Sequence, residues 1–133
     1  MSGEAMSQAM APTPERVLKG SMLPPLDVFR KAGLIPRAEW HAGIENARLR
    51  RLIFGAGRPA GGHRGGRVPT EESLAAAELR LSSGRAAIRD RRILRIVDRV
   101  TIDELPIIQS ELPALRIGLA RLARHWGLQD KVS

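Results

Sequence analysis

Four aromatic side chains in 133 residues leave this chain little besides Leu, Ile, Val and Ala from which to build a core. Phe29, Trp40, Phe54 and Trp126 are the whole aromatic complement, and the chain has neither tyrosine nor cysteine. A core of aliphatic side chains and alanine suits helices packed on helices better than sheets stacked face to face. At this length the expectation is one compact domain, or a small domain with tails, burying roughly two-thirds of its unfolded surface. The expected fold is all-α: a small helical bundle with an N-terminal helical hairpin, a Gly-rich loop and a C-terminal helix-turn-helix-like three-helix unit.

The same composition narrows the chemistry. Without cysteine there is no disulfide framework and no cysteine-based zinc site or nucleophile. His41, His63 and His125 are scattered, with no carboxylate at ligand spacing on a shared helical face, so neither metal nor cofactor is expected. No carboxylate pair or activated nucleophile emerges, and an enzyme is not expected. No N-terminal stretch joins a basic region to an apolar one, and no apolar run is long enough to span a membrane. The cytoplasm is the expected compartment.

Charge supplies a positive signal. The formal net charge is +8, and 19 of the 22 basic residues are arginine. Arginine's fixed charge and planar fork suit phosphate and guanine. A GC-rich genome also favours arginine codons, which accounts for part of the Arg:Lys ratio but not for the excess of positive charge. That excess is local: His41 to Val100 holds 13 arginines against six acids, and the rest of the chain is nearly neutral.

Along the chain, residues 1–23 read as a disordered lead-in rich in Ser, Met, Ala and Pro, closed by Pro24-Pro25. Residues 24–54 read as the helical hairpin. Its first helix, Leu26 to Ala32, buries Leu26, Val28 and Phe29 and ends at Gly33. Its second starts at Pro36 and runs to about Phe54, with Trp40, Ile44, Ala47 and the stem of Arg51 along one face. Residues 55–70, GAGRPAGGHRGGRVPT, hold six glycines and two prolines and form a flexible loop. Arg58, Arg64 and Arg67 make that loop basic, able to follow a phosphate backbone or enter a minor groove, or simply to be a solvated linker.

Residues 71–128 form the C-terminal unit. Thr70 or Ser73 caps a helix burying Leu74, Ala77, Leu79 or Leu81, which Ser82-Ser83-Gly84 interrupts. From Arg85 a second helix places Ala86, Ile93, Ile96, Val97 and Val100 on one face, with Arg85, Arg89, Arg91, Arg92, Arg95 and Arg99 on the rest. Such a face meets nucleic acid or solvent; short Ile and Val opposite it look like core and not like lipid anchors, so no membrane contact is expected. Thr101-x-x-Glu104 then reads as a capping box that opens a short element, kinked by Pro106 and ending near Gln109. Ser110 caps a last helix with Pro113 in its first turn, a stripe of Leu112, Leu115, Leu119, Leu122 and Trp126, and Gly127 as its stop.

In a helix-turn-helix the last element enters the major groove, and its first residues meet base edges. Here those are Gln109, Ser110 and Arg116: glutamine suits adenine and arginine suits guanine. The arginines from Arg85 to Arg99 would contact phosphate, setting affinity and salt dependence.

Two stretches add a resemblance. AGLIPRAEWHAGIENARLR, from Ala32 to Arg50, and LRIGLARLARHWGL, from Leu115 to Leu128, resemble a family of small helical proteins of unknown function from bacterial genomes and their prophages. The resemblance implies a C-terminal helix-turn-helix-like unit and DNA binding, and carries over no catalytic residue. Pro106 and Pro113 depart from a regular form of that unit.

The leading expectation is a small DNA-binding protein, a phage or prophage transcriptional regulator whose partner is double-stranded DNA, with a homodimer compatible. Two alternatives stay open. One is a DNA-recognition subunit for phage genome packaging. The other is a helical adaptor whose basic face docks an acidic protein partner, such as a polymerase subunit or a defence complex.

Overall fold

The computed structural model describes residues 12–55 and 71–128, most of them in six helices: α1 (Pro14–Leu18), α2 (Pro25–Lys31), α3 (Arg37–Gly55), α4 (Glu71–Ile88), α5 (Arg91–Thr101) and α6 (Leu112–Trp126). No strand occurs among the described residues, and the fold is an all-α bundle. The expected loop of residues 55–70, with Arg58, Arg64 and Arg67, lies outside the described residues beyond Gly55.

The centre of the bundle is α6. Its Leu112, Leu115, Leu119, Leu122 and Trp126 are buried as their spacing predicts, and the helix packs against α3, α4 and α5. Because α6 has neighbours on three sides, Ala114, Gly118 and Ala123 are buried too. Gly118 lets α5 come close: a Cβ there would stand 2.5 Å from Val97 Cγ2 and 2.8 Å from Ile93 Cγ2. At its end Gly127 adopts φ +72°, and the N–H groups of Gly127 and Leu128 donate to the carbonyls of Arg124 and Ala123. That left-handed stop is the one glycine allows at low cost.

The helical hairpin is also present, with α2 burying Leu26, Val28 and Phe29 and giving way at Gly33. It shares one core with the C-terminal helices. The buried face of α3 is rotated from the expected one. Ala47 is buried as expected, but Ile44 and Arg51 are exposed and Trp40 is half-buried, while Glu39, Ala42, Gly43, Asn46 and Leu49 face inward. Two of these are polar and have partners on other helices, although Asn46 Oδ1 is buried with no hydrogen-bond partner among the described residues. Arg116 reaches Glu39, and Asn46 Nδ2 donates to Thr101 Oγ1 at 2.9 Å. Hydropathy alone misplaces a face that is buried through long-range polar partners.

Five local expectations are corrected. The lead-in expected through Leu23 carries α1, opened by Thr13, whose Oγ1 accepts from the N–H of Arg16. Ser82-Ser83-Gly84 does not interrupt α4, which is continuous. Gly84 makes room for Trp126 instead: a Cβ at that position would lie 2.5 Å from the indole, whose Nε1 donates to the Arg80 carbonyl at 3.1 Å.

The helix expected to run through from Arg85 is broken. α4 ends at Ile88, Arg89 takes φ +68°, and Asp90 caps α5 by accepting from the N–H groups of Arg92 and Ile93. Ala86, expected on the buried face, lies before that corner and is exposed.

The capping box at Thr101 does not form either. Thr101 ends α5, buried, with its hydroxyl donating to the Val97 carbonyl and accepting from Asn46. Its oxygen is committed to the α3–α5 contact, and Glu104 stands at φ +55°. Residues 104–108 form no helix, as Pro106 favours, and Ile107 is the side chain they bury. A 3₁₀ turn, Gln109–Glu111, then leads into α6. Glu111, not Ser110, stabilises this start, its carboxylate accepting from the N–H of Ile108 at 3.1 Å.

Candidate nucleic-acid interface

Helix α5 is sharply two-sided because its aliphatic residues repeat at helical spacing. Ile93, Ile96, Val97 and Val100 are buried against the bundle. At 3.6 residues per turn, Arg91, Arg92, Arg95 and Arg99 fall within an arc of about 100° on the opposite side. Arg91, Arg92 and Arg95 are exposed, and Arg89 stands exposed at the corner just before them.

The six arginines of this segment divide into two sets. Arg85 is held in a two-point pair by Asp98, at 2.6 and 2.8 Å. Arg99 is held by Glu111, with Nη1 3.0 Å from both carboxylate oxygens. Arg89, Arg91, Arg92 and Arg95 have no hydrogen-bonded carboxylate among the described residues. Three acids of this segment make other contacts: Asp98 with Arg85, Glu111 with Arg99, and Asp90 with the backbone at the start of α5. Four guanidinium groups with no hydrogen-bonded carboxylate therefore form a ridge that faces solvent.

The ridge continues to the start of α6. The Ile108 N–H holds the Glu111 carboxyl below the usual carboxylate range, helped by Arg99 and then by the charge of Arg92. Arg92 and Arg99 thus lie within electrostatic reach of the turn that carries Gln109 and Ser110, both exposed. Arg116 is placed differently. Its Nε and Nη2 donate to the two oxygens of buried Glu39 at 3.1 and 3.4 Å, which ties α6 to α3. A guanidinium so engaged is occupied with a buried carboxylate before any base arrives.

Two residues of this surface are hidden from sequence reasoning. Arg121, exposed on α6, donates to the Ile88 carbonyl and so braces the corner that displays Arg89. Glu15 of α1 accepts the backbone N–H of Gln109 at 3.2 Å across 94 residues of sequence, and no local pattern announces that contact.

Among the described residues no group of three His, Asp or Glu side chains is placed to hold a metal ion. None of their helices is long and apolar enough to cross a membrane. Compared with models of protein families, with curated proteins and with solved structures, the chain finds no significant match.

Proposed function

We propose that this chain is a small duplex-DNA-binding protein of the phage or prophage regulator kind, gripping phosphate through the α5 ridge. The observation that carries the reading is the set Arg89, Arg91, Arg92 and Arg95, exposed together with no hydrogen-bonded carboxylate among the described residues. Guanidinium groups gathered on one helix and the corner before it neutralise phosphates and release counterions, which drives binding regardless of sequence. Gln109 and Ser110, at the exposed start of α6, are the residues beside the ridge that could meet base edges. Arg116 serves the fold in this reading. The connection between α5 and α6 is longer and more extended than the turn of a regular helix-turn-helix, so in this reading the ridge carries more of the binding than α6 does.

Titrating a labelled random duplex with the protein tests the reading. Reversing two charges, Arg92→Glu with Arg95→Glu, is expected to weaken binding at low salt by at least about tenfold. Retained affinity in that variant would remove the ridge from the interface.

A protein partner is the second reading, favoured by a different observation. Phe54 and Leu79 are 65% and 69% exposed, and both line an open cleft of about 720 Å³ with Ile53 and Leu81. Exposed large apolar residues gathered at one cleft mark protein contacts more often than nucleic-acid contacts. Stoichiometric co-purification of a partner, lost in Phe54→Ser with Leu79→Ser, would favour it.

A further inference from the structure

Helix α1 has only five residues, far fewer than a helix needs to be stable on its own in water. It is held by packing: Pro14 is buried, and Val17 and Leu18 lie against the core. What this places in the molecule is Glu15. Its Oε2 accepts the backbone N–H of Gln109 at the start of the 3₁₀ turn leading into α6. Between α1 and the connection from α5 lies an open cleft of about 470 Å³, whose lining includes Glu15, Leu18, Lys19, Arg99, Ile108 and Glu111.

Resting on the DNA-binding reading above, we infer that α1 is an intramolecular screen over one backbone donor at the start of α6, the Gln109 N–H, which its Glu15 carboxylate occupies in place of a DNA phosphate. Backbone N–H groups at the start of a groove-entering helix are common anchors for phosphate oxygens. A carboxylate oxygen and a phosphate oxygen make the same kind of hydrogen bond, and one N–H of this turn cannot serve both. Glu15 also adds a negative charge next to Glu111, so a phosphate approaching Gln109 meets two carboxylates, of which Glu111 is already paired with Arg99. Glu111 belongs to the turn itself. Glu15 arrives from a separate short helix, and undocking α1 removes it while leaving the bundle core of α3 to α6 in place. The docked chain is thus the weaker DNA binder, and release of α1 is the activating step.

The test compares full-length variants on a labelled random duplex at low salt. Glu15→Ala removes the acceptor and the charge. Leu18→Ser loosens α1 without changing charge. Glu78→Ala, in the Phe54–Leu79 cleft, removes one carboxylate elsewhere and measures the general effect of charge. The expected result is tightening of about fivefold for Glu15→Ala and for Leu18→Ser, against less than twofold for Glu78→Ala. Equal changes in Glu15→Ala and Glu78→Ala, or none in Glu15→Ala, would overturn the screen while leaving duplex binding intact. If neither the wild type nor any variant binds duplex, the DNA reading fails and the screen with it. Should Leu18→Ser prove unfolded by thermal melting, the Glu15 and Glu78 comparison still decides.

Discussion

Arg99, near the end of α5, and Glu111, at the start of α6, are joined by a forked contact in which one guanidinium nitrogen lies 3.0 Å from each carboxylate oxygen. The same carboxylate accepts from the Ile108 N–H, so one side chain both opens α6 and ties it to α5. Its carboxyl is held below the ordinary value of 4.5. A carboxylate with a lowered folded pKa stabilises the fold above its unfolded pKa, and that contribution disappears as pH falls through the folded one. Glu111→Gln is therefore expected to lower the melting temperature at pH 7, with the gap to wild type closing below about pH 4. A gap that persists unchanged at pH 3 would show that shape and not charge explains it.

Thr101 and Asn46 make the corresponding link inside the bundle. Both are buried, and Asn46 Nδ2 has Thr101 Oγ1 as its acceptor. Thr101→Val keeps the shape but orphans that amide, which is expected to cost about 1–3 kcal/mol in denaturant unfolding. Thr101→Ser keeps the oxygen and is expected to cost less.

These long-range polar links explain what could and could not be read from the sequence. The stripe of α6 and the face of α5 beyond Asp90 were legible because their residues are apolar and periodic, and burial follows from that alone. Gly33 and Gly127 were legible because the end of a helix asks for a left-handed residue. Thr101 looked like a helix start because Thr-x-x-Glu is a local signal, while its real partner lies 55 residues away. Gly84 looked like a break because its reason is an indole 42 residues later. Of the candidate interface, the arginines were plain in the sequence. Which of them are paired was not, since Asp98, Glu111 and Glu39 choose their partners through the fold.

Gly118 is expected to tolerate no side chain. A Cβ would enter the contact distance of Val97 and Ile93, both β-branched and held in a packed helix face. Gly118→Ala should gain helix propensity yet destabilise by about 1–3 kcal/mol through overpacking. Chemical denaturation decides, and a stabilised variant would contradict the close α5–α6 contact at Gly118.

Arg89 lets stability and the proposed duplex binding be tested apart. Its left-handed backbone, φ +68°, is one that glycine adopts without strain. Arg89→Gly is therefore expected to be neutral or stabilising by up to about 1 kcal/mol, and at the same time to weaken duplex binding. A variant that melts lower and binds as before would reverse both halves of the argument.

The most direct measurement is the salt dependence of duplex binding in the wild type and in the triple variant Arg91→Ala, Arg92→Ala, Arg95→Ala. Each phosphate contact contributes about 0.9 to the slope of log affinity against log salt. The ridge account predicts a linear fall for the wild type and a slope smaller by about 2 to 3 in the variant, with its helix content unchanged. Identical slopes in the two proteins would contradict it.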